Sequence, residues 1–330
     1  MKKIKRLLKK LKRKYNKILY YFYKFTDMYK ILFVEVKDKK KQIKCTKKNL
    51  AFVEIETFSF CNRQCWFCPN SFIDRHTHNN FMSEGMYLKI INDLAKINYS
   101  GYIAYSRYNE PLSDKIILER IRQAKDKLPN AFLFTHTNGD YLTRKYLDEL
   151  SSSGLKLLKI QCYLTENEKF DVENVILPKI NKMAKKLNLE YEILFNKQDF
   201  FRIKYKYDKM IVFQEAIDFN KNGVNRGDFV KKIKGIDRKE PCFSPFFRMY
   251  IDFDASVMPC CNVRHDIPTH KHLIMGNITH NNIFEIFTGT KFSDFRKYVE
   301  KYGEKIKPCN SCKDCMCQKI TFNEKNINLF

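Results

Sequence analysis

Three cysteines fall within eight residues in Cys61-Asn62-Arg63-Gln64-Cys65-Trp66-Phe67-Cys68-Pro69, directly after the apolar run Ala51 to Phe60. Thiolates spaced x3 then x2 on one loop can hold three corners of an iron-sulfur cube, whose ferredoxin-like forms take four cysteine ligands. The fourth iron then stays open, and an open position on a bound metal is where chemistry takes place, as at three-ligand catalytic zinc. The residues favour other readings less. Buried free cysteines behave as small hydrophobes, but Asn, Arg, Gln and Pro do not make a core strand. A structural zinc wants a fourth ligand, for which His76 and His78 come nearest, on a polar loop. Disulfides need an oxidising compartment, and no secretory signal is legible, so the thiols are expected to be reduced and the chain cytoplasmic.

A second cysteine group comprises Cys242, Cys260-Cys261 and Pro308-Cys309-Asn310-Ser311-Cys312-Lys313-Asp314-Cys315-Met316-Cys317. Between its first members, FFRMYIDFDASVMP alternates apolar residues around an Asp-Phe-Asp-Ala turn, the pattern of a β-hairpin. A zinc site could use the same thiols, with His265, His270 or His272 as a further ligand.

The loop CxxxCxxC, with aromatic Phe67 before its last Cys, resembles the signature of the radical S-adenosylmethionine (radical SAM) superfamily. Ser106-Arg107-Tyr108-Asn109-Glu110-Pro111-Leu112 resembles the family's GGEP motif, with Tyr108 and Asn109 in place of its glycines, and Thr135-His136-Thr137-Asn138-Gly139 resembles its TNG turn. The resemblance implies a [4Fe-4S] cluster on Cys61, Cys65 and Cys68 that reductively cleaves SAM to a 5'-deoxyadenosyl radical, which takes hydrogen from substrate. It implies cofactor contacts from Phe67 to adenine, from Asn109 and Glu110 to the methionine amino group, and from Gln161 near the ribose. Asn225-Arg226-Gly227-Asp228 resembles an NRGG turn of some relatives, and no role follows from it.

The second group resembles the SPASM or Twitch extension of that superfamily. At the spacings where a full SPASM pattern has further cysteines, Gln318 and Phe322 stand instead. That departure favours one auxiliary [4Fe-4S] cluster, most simply on Cys242, Cys260, Cys309 and Cys312. Cys261, Cys315 and Cys317 are left over, and any could replace one of the four. A single auxiliary cluster is similar to the layout of the family's cyclitol and amino-sugar dehydrogenases and implies oxidation of a sugar-like or lipid-linked glycan precursor. The alternatives are a peptide-modifying SPASM maturase and a non-catalytic iron-sulfur protein. A reductant such as flavodoxin or ferredoxin is the implied partner.

The elements that must position these residues follow from periodicity. Apolar or β-branched runs at 51–57, 102–106, 131–136, 157–162, 190–195 and 210–216 alternate with helical patterns at 86–97, 116–127, 143–153 and 174–188. Repeated βα units give a parallel sheet with right-handed crossovers. The expected fold is therefore α/β: a partial (β/α)6 TIM-type barrel over residues 51–235, with a small C-terminal α+β auxiliary-cluster domain over 236–330. Parallel barrels carry their sites at the C-terminal strand ends, where the first cysteine loop falls.

The formal net charge of +25 is concentrated at the N-terminus, where residues 1–50 hold nineteen basic and three acidic side chains. Within residues 1–24, Ile4, Leu7, Leu8, Leu11, Tyr15, Ile18, Leu19, Phe22 and Tyr23 recur at helical spacing among eleven basic residues. That stripe suits either packing on the barrel or an anionic membrane surface. Residues 26–50 look like a mixed connecting segment, with KDKKKQIKCTKK as a turn or linker. Nucleic acid is disfavoured as a partner, since RNP1-type aromatic signatures are absent. No run of 18 apolar residues occurs.

Overall fold

The computed structural model describes residues 30–314. The amphipathic stretch 1–24, Cys315, Cys317, Gln318 and Phe322 lie outside the described residues.

The first described helix, α1 (Lys39–Asn49), forms where the sequence suggested a linker. The Asp38 carboxylate caps it by accepting from the Lys41 backbone N–H at 2.7 Å. Gln42, Cys45 and Thr46 turn inward, so a segment rich in lysine still has one buried face. The chain then alternates through β1 (Phe52–Ile55), α2 (Glu84–Lys96), β2 (Tyr102–Ala104), α3 (Ile116–Lys127), β3 (Phe132–Thr137), α4 (Arg144–Ser153), β4 (Leu157–Gln161) and α5 (Leu177–Leu187). Local chemistry sets the helix ends. Ser83 and Thr143 cap α2 and α4 by accepting backbone N–H groups, and Gly154 ends α4 at φ +106°, a value an L side chain rarely adopts.

Beyond α5 the order departs from simple repetition. β5 (Tyr191–Lys197) and β6 (Phe200–Tyr205) form a hairpin, and β6 pairs antiparallel with β7 (Ile211–Ile217). The expected barrel strand at 190–195 is thus an outer edge strand, and β6 was not anticipated. Only Gln198 and Asp199 separate β5 from β6, too few for the crossover that a parallel pair requires. The sixth parallel strand comes from the C-terminal cysteine region. β8 (Arg248–Ile251) makes the expected hairpin with β9 (Ser256–Met258) and also pairs parallel with β1, Phe52 opposite Arg248 and Ile55 opposite Ile251.

With β10 (Gly276–Asn277), the sheet runs β10-β9-β8-β1-β2-β3-β4-β7-β6-β5, and its parallel middle is β8-β1-β2-β3-β4-β7. The architecture is an α/β partial barrel with a C-terminal extension, completed by α6 (Ile283–Phe287) and α7 (Thr290–Glu300). Alternate strand residues such as Ile103, Leu133, Leu158 and Val212 are buried and belong to one continuous core. A separate small cluster of Phe67, Val230 and Ile233 sits under the first cysteine loop.

Candidate active site

The cysteine loop leaves β1 and is pinned across the strand ends. The Glu110 N–H donates to the Phe60 carbonyl at 2.8 Å, and the Cys61 N–H donates to the Arg75 carbonyl at 3.0 Å. Asn70 Nδ2 donates to the Tyr108 carbonyl at 2.7 Å, and Asn138 Nδ2 donates to Asn62 Oδ1 at 2.8 Å. Arg63 Nε reaches Asp140 Oδ2 at 2.7 Å, tying the loop to the end of β3. Cys61, Cys65 and Cys68 are free thiols, each partly exposed.

These thiols feel one another. Burial first, and then the neighbouring Cys68 and Cys61, push Cys65 up to about 12, while burial and then Cys68 and Glu110 push Cys61 up to about 11. Three thiolates gathered this way repel unless a cation sits among them, so the donor set fits a positively charged iron cluster and disfavours an empty ionised site. Among the described residues, no His, Cys, Asp or Glu side chains converge in groups of three or more as ligands of a single ion. A cube distributes its ligands over separate irons, so its thiols need not meet at a point.

The other sequence candidates surround this loop. The carboxylate of Glu110 is buried and accepts from Thr137 Oγ1 at 2.6 Å, the Asn138 N–H at 2.7 Å and the Leu112 N–H at 3.0 Å. Burial pushes its pKa up against those three bonds. Asn109 Oδ1 accepts from the Arg107 N–H at 3.2 Å, while its buried Nδ2 has no partner among the described residues. Phe67 stacks flat on Phe219, centroids 3.7 Å apart and planes 2° from parallel, with Tyr163 at 5.2 Å. Gln161 donates to Glu215 at 2.8 Å. Cys65, Trp66, Asn138, Asp140 and Gln161 all border one cavity of about 770 Å³ beside the loop.

Sequence reasoning missed the charged inner face of the sheet. Register places Glu54 opposite Tyr250 and Ala104, His136 opposite Lys159, and Gln161 opposite Glu215. Arg202 donates to Glu215 at 2.8 Å, and desolvation lowers the Lys159 ammonium to about 8. Arg107 Nε donates to Asp252 at 2.6 Å and its Nη2 to the Val263 carbonyl at 2.7 Å. The available signal was period two: Glu54 and Glu56 alternate with apolar residues in FVEIE, as Lys159 and Gln161 do in LLKIQ.

The second cysteine group also gathers. Cys260 is pushed well up by burial and then by Cys261, Cys309, Cys312 and Cys242, and Cys309 up to about 12 by burial, Cys242 and Cys312. Cys261 faces a different set, Asp314, Arg226, Glu54 and Arg248. The histidines of the zinc alternative have other partners. His270 Nε2 meets the Gly227 carbonyl at 2.8 Å while its Nδ1 accepts from the Arg264 N–H at 3.3 Å. His265 Nδ1 lies 2.8 Å from Asp252.

Residues 55–181 match the model of the radical SAM superfamily, and residues 242–316 match that of SPASM, an iron-sulfur cluster-binding domain. The chain belongs to the radical SAM superfamily. The enzyme carries a SPASM-type C-terminal domain, and its cofactors are SAM, the [4Fe-4S] cluster of the radical SAM site and further iron-sulfur bound by the SPASM region. It is 25% identical over 269 residues to the S-adenosyl-L-methionine-dependent 2-deoxy-scyllo-inosamine dehydrogenase of Niallia circulans, covering 81% of this chain and 93% of the relative. Its fold is similar to the crystal structure of BtrN in complex with AdoMet and 2-DOIA, with TM-score 0.57, 22% identity, and 80% of this chain and 93% of that one covered. An open conformation of BtrN gives TM-score 0.50 at 20% identity, over 83% and 92% of the two chains. No helix among the described residues is long and apolar enough to cross a membrane.

Proposed function

We propose that the enzyme dehydrogenates a hydroxyl-bearing, sugar-like small molecule inside the barrel. The observation that carries this reading is the inner face between the two cysteine groups, where Glu54, Arg107, Arg226 and Arg248 replace the apolar filling of an ordinary barrel interior. Arg107 is paired with Asp252, but the Glu54 carboxylate and the Nε atoms of Arg226 and Arg248 find no hydrogen-bond partner among the described residues, and a polyhydroxy substrate offers one. The activity of the Niallia circulans relative on an aminocyclitol supports the same class.

In this reading Cys61, Cys65 and Cys68 hold the SAM-site cluster, and Cys242, Cys260, Cys309 and Cys312 hold one auxiliary cluster. When bound, these groups supply reductive SAM cleavage and an electron acceptor. The protein's part is positioning. Asn109 would offer its Nδ2, unpartnered among the described residues, to an acceptor oxygen of SAM, and Glu110, which keeps the TNG turn rigid, would give a remaining acceptor position to the methionine ammonium. Phe67, now stacked on Phe219, and Gln161 would shape the wall for adenine and ribose. An acidic flavodoxin or ferredoxin supplies electrons, and residues 1–24 dock on anionic lipid.

The test is anaerobic incubation of reconstituted enzyme with SAM, dithionite and ring-deuterated 2-deoxy-scyllo-inosamine. The expected result is 5'-deoxyadenosine carrying deuterium, with a ketone formed in step. SAM cleavage without deuterium transfer from any of a panel of cyclitols and amino sugars would sink the substrate class.

A further inference from the structure

Glu54 lies on β1 between the two cysteine groups. Arg226, one of its neighbours, also lies within electrostatic reach of Cys68, Cys261 and Asp314, and Cys261 in turn feels Glu54. The groups facing Glu54 are Glu56 just past β1, Arg107 beyond β2, Arg248 and Tyr250 on β8, Arg226 beyond β7 and Cys261 beyond β9.

Most carboxylates here are already bound. Glu56 accepts from Arg75 at 3.2 Å and from the Tyr108 N–H at 3.1 Å. Asp252 is held by Arg107 and His265, Asp266 by Arg264 and Arg75, and Glu215 by Arg202 and Gln161. The Glu54 carboxylate accepts no hydrogen bond from any described residue, and the side chain keeps part of its surface open. Two guanidinium donors beside it are also unused: the buried Nε of Arg248 and that of Arg226, whose backbone is held at φ +48°. Native proteins rarely leave buried donors unpaired, and such sets mark places where a ligand completes the bonding.

We propose that Glu54 is the base that takes the hydroxyl proton of the substrate, with Arg226 and Arg248 holding the oxygens of that same molecule. The assignment rests on the dehydrogenation reading. The step balances: a hydrogen atom leaves the carbinol carbon for the 5'-deoxyadenosyl radical, the hydroxyl proton passes to the Glu54 carboxylate, the remaining electron passes to the auxiliary iron-sulfur cluster, and the C–O bond becomes a carbonyl. Desolvation, stronger than the pull of Arg107 and Arg248, raises the carboxyl to about 7, where a base can both accept and release a proton at neutral pH.

The experiment compares wild type with Glu54→Gln and Glu54→Asp as holoenzymes of equal iron content, using SAM and the ring-deuterated 2-deoxy-scyllo-inosamine. Glu54→Gln should still move deuterium into 5'-deoxyadenosine while ketone formation falls about 100-fold or more. Wild-type ketone formation should rise with pH through about 7. Glu54→Asp should keep that rise and part of the rate, and Glu54→Gln should lose the rise. Infrared difference spectra between pH 6 and 8 should show a carboxyl band in wild type that Glu54→Gln lacks. Deuterium transfer and ketone falling by the same factor, ketone unchanged, or no such band would overturn the base. Wild type that abstracts no deuterium from any member of the cyclitol and amino-sugar panel refutes the dehydrogenation reading, and the base assignment falls with it.

Discussion

Glu110 shows how much one side chain's role depends on what surrounds it. The resemblance implied a single bond to the SAM ammonium, but its carboxylate already accepts three donors. Glu110→Ala should strand the Thr137 hydroxyl and the Asn138 N–H and cost about 2–4 kcal/mol, read as a lower urea midpoint. It should also weaken SAM in equilibrium dialysis. A variant that binds SAM as wild type does would restrict Glu110 to the turn. Glu54 gives the opposite kind of prediction. The carboxyl titrates near 4.5 when exposed and about 7 when folded, so the folded state holds the extra proton between those values. Stability therefore falls as pH rises through that window. Glu54→Gln removes the loss and should stabilise the protein by about 1–3 kcal/mol at pH 8, with little change at pH 4.5. An equal gain at both pH values would contradict the raised carboxyl.

At the scale of elements, β8 makes the cysteine-rich segment part of the barrel. Arg107, beyond β2, bonds Asp252 at the end of β8 and the Val263 carbonyl beside it. Both charges are buried, so Arg107→Ala leaves Asp252 with the His265 side chain as its one ion-pair partner among the described residues. It should cost about 3–5 kcal/mol in urea melts and loosen the auxiliary site first. Loss of the auxiliary iron at milder denaturant than the SAM-site iron, followed by absorbance, is the expected sign. The strands themselves were largely legible: β1 to β4 and β7 fall on the apolar runs read from periodicity, because strands buried on both faces give continuous apolar segments. β5 was legible as a strand and illegible as an edge strand, since periodicity records which residues are buried and says nothing of which strand lies alongside.

For the whole molecule, the seven cysteines proposed as ligands, in two groups, predict about eight irons per chain. Replacing Cys61, Cys65 and Cys68 together with Ala should leave about four, since the two groups sit on separate loops. Iron falling to zero would show one shared site. The basic stretch 1–24 should bring the full chain down with anionic vesicles at low salt and release it as salt rises, while a chain beginning at Lys30 stays in solution. Identical behaviour of both would remove the lipid from the reading.

The cysteine spacing, the Asn-Glu-Pro turn and the strand-helix alternation were determined by sequence alone, because ligand loops and repeating units are local and carry their chemistry in adjacent residues. Which thiols face one another was not. Cys260 and Cys261 are neighbours in the chain, yet one joins Cys242, Cys309 and Cys312 while the other turns toward Glu54 and Arg226. The pairing of β8 with β1, and with it the ring of arginines around Glu54, joins residues nearly 200 positions apart. Only the tertiary packing of the sheet brings such residues together, and their side-chain types alone read as ordinary surface charge.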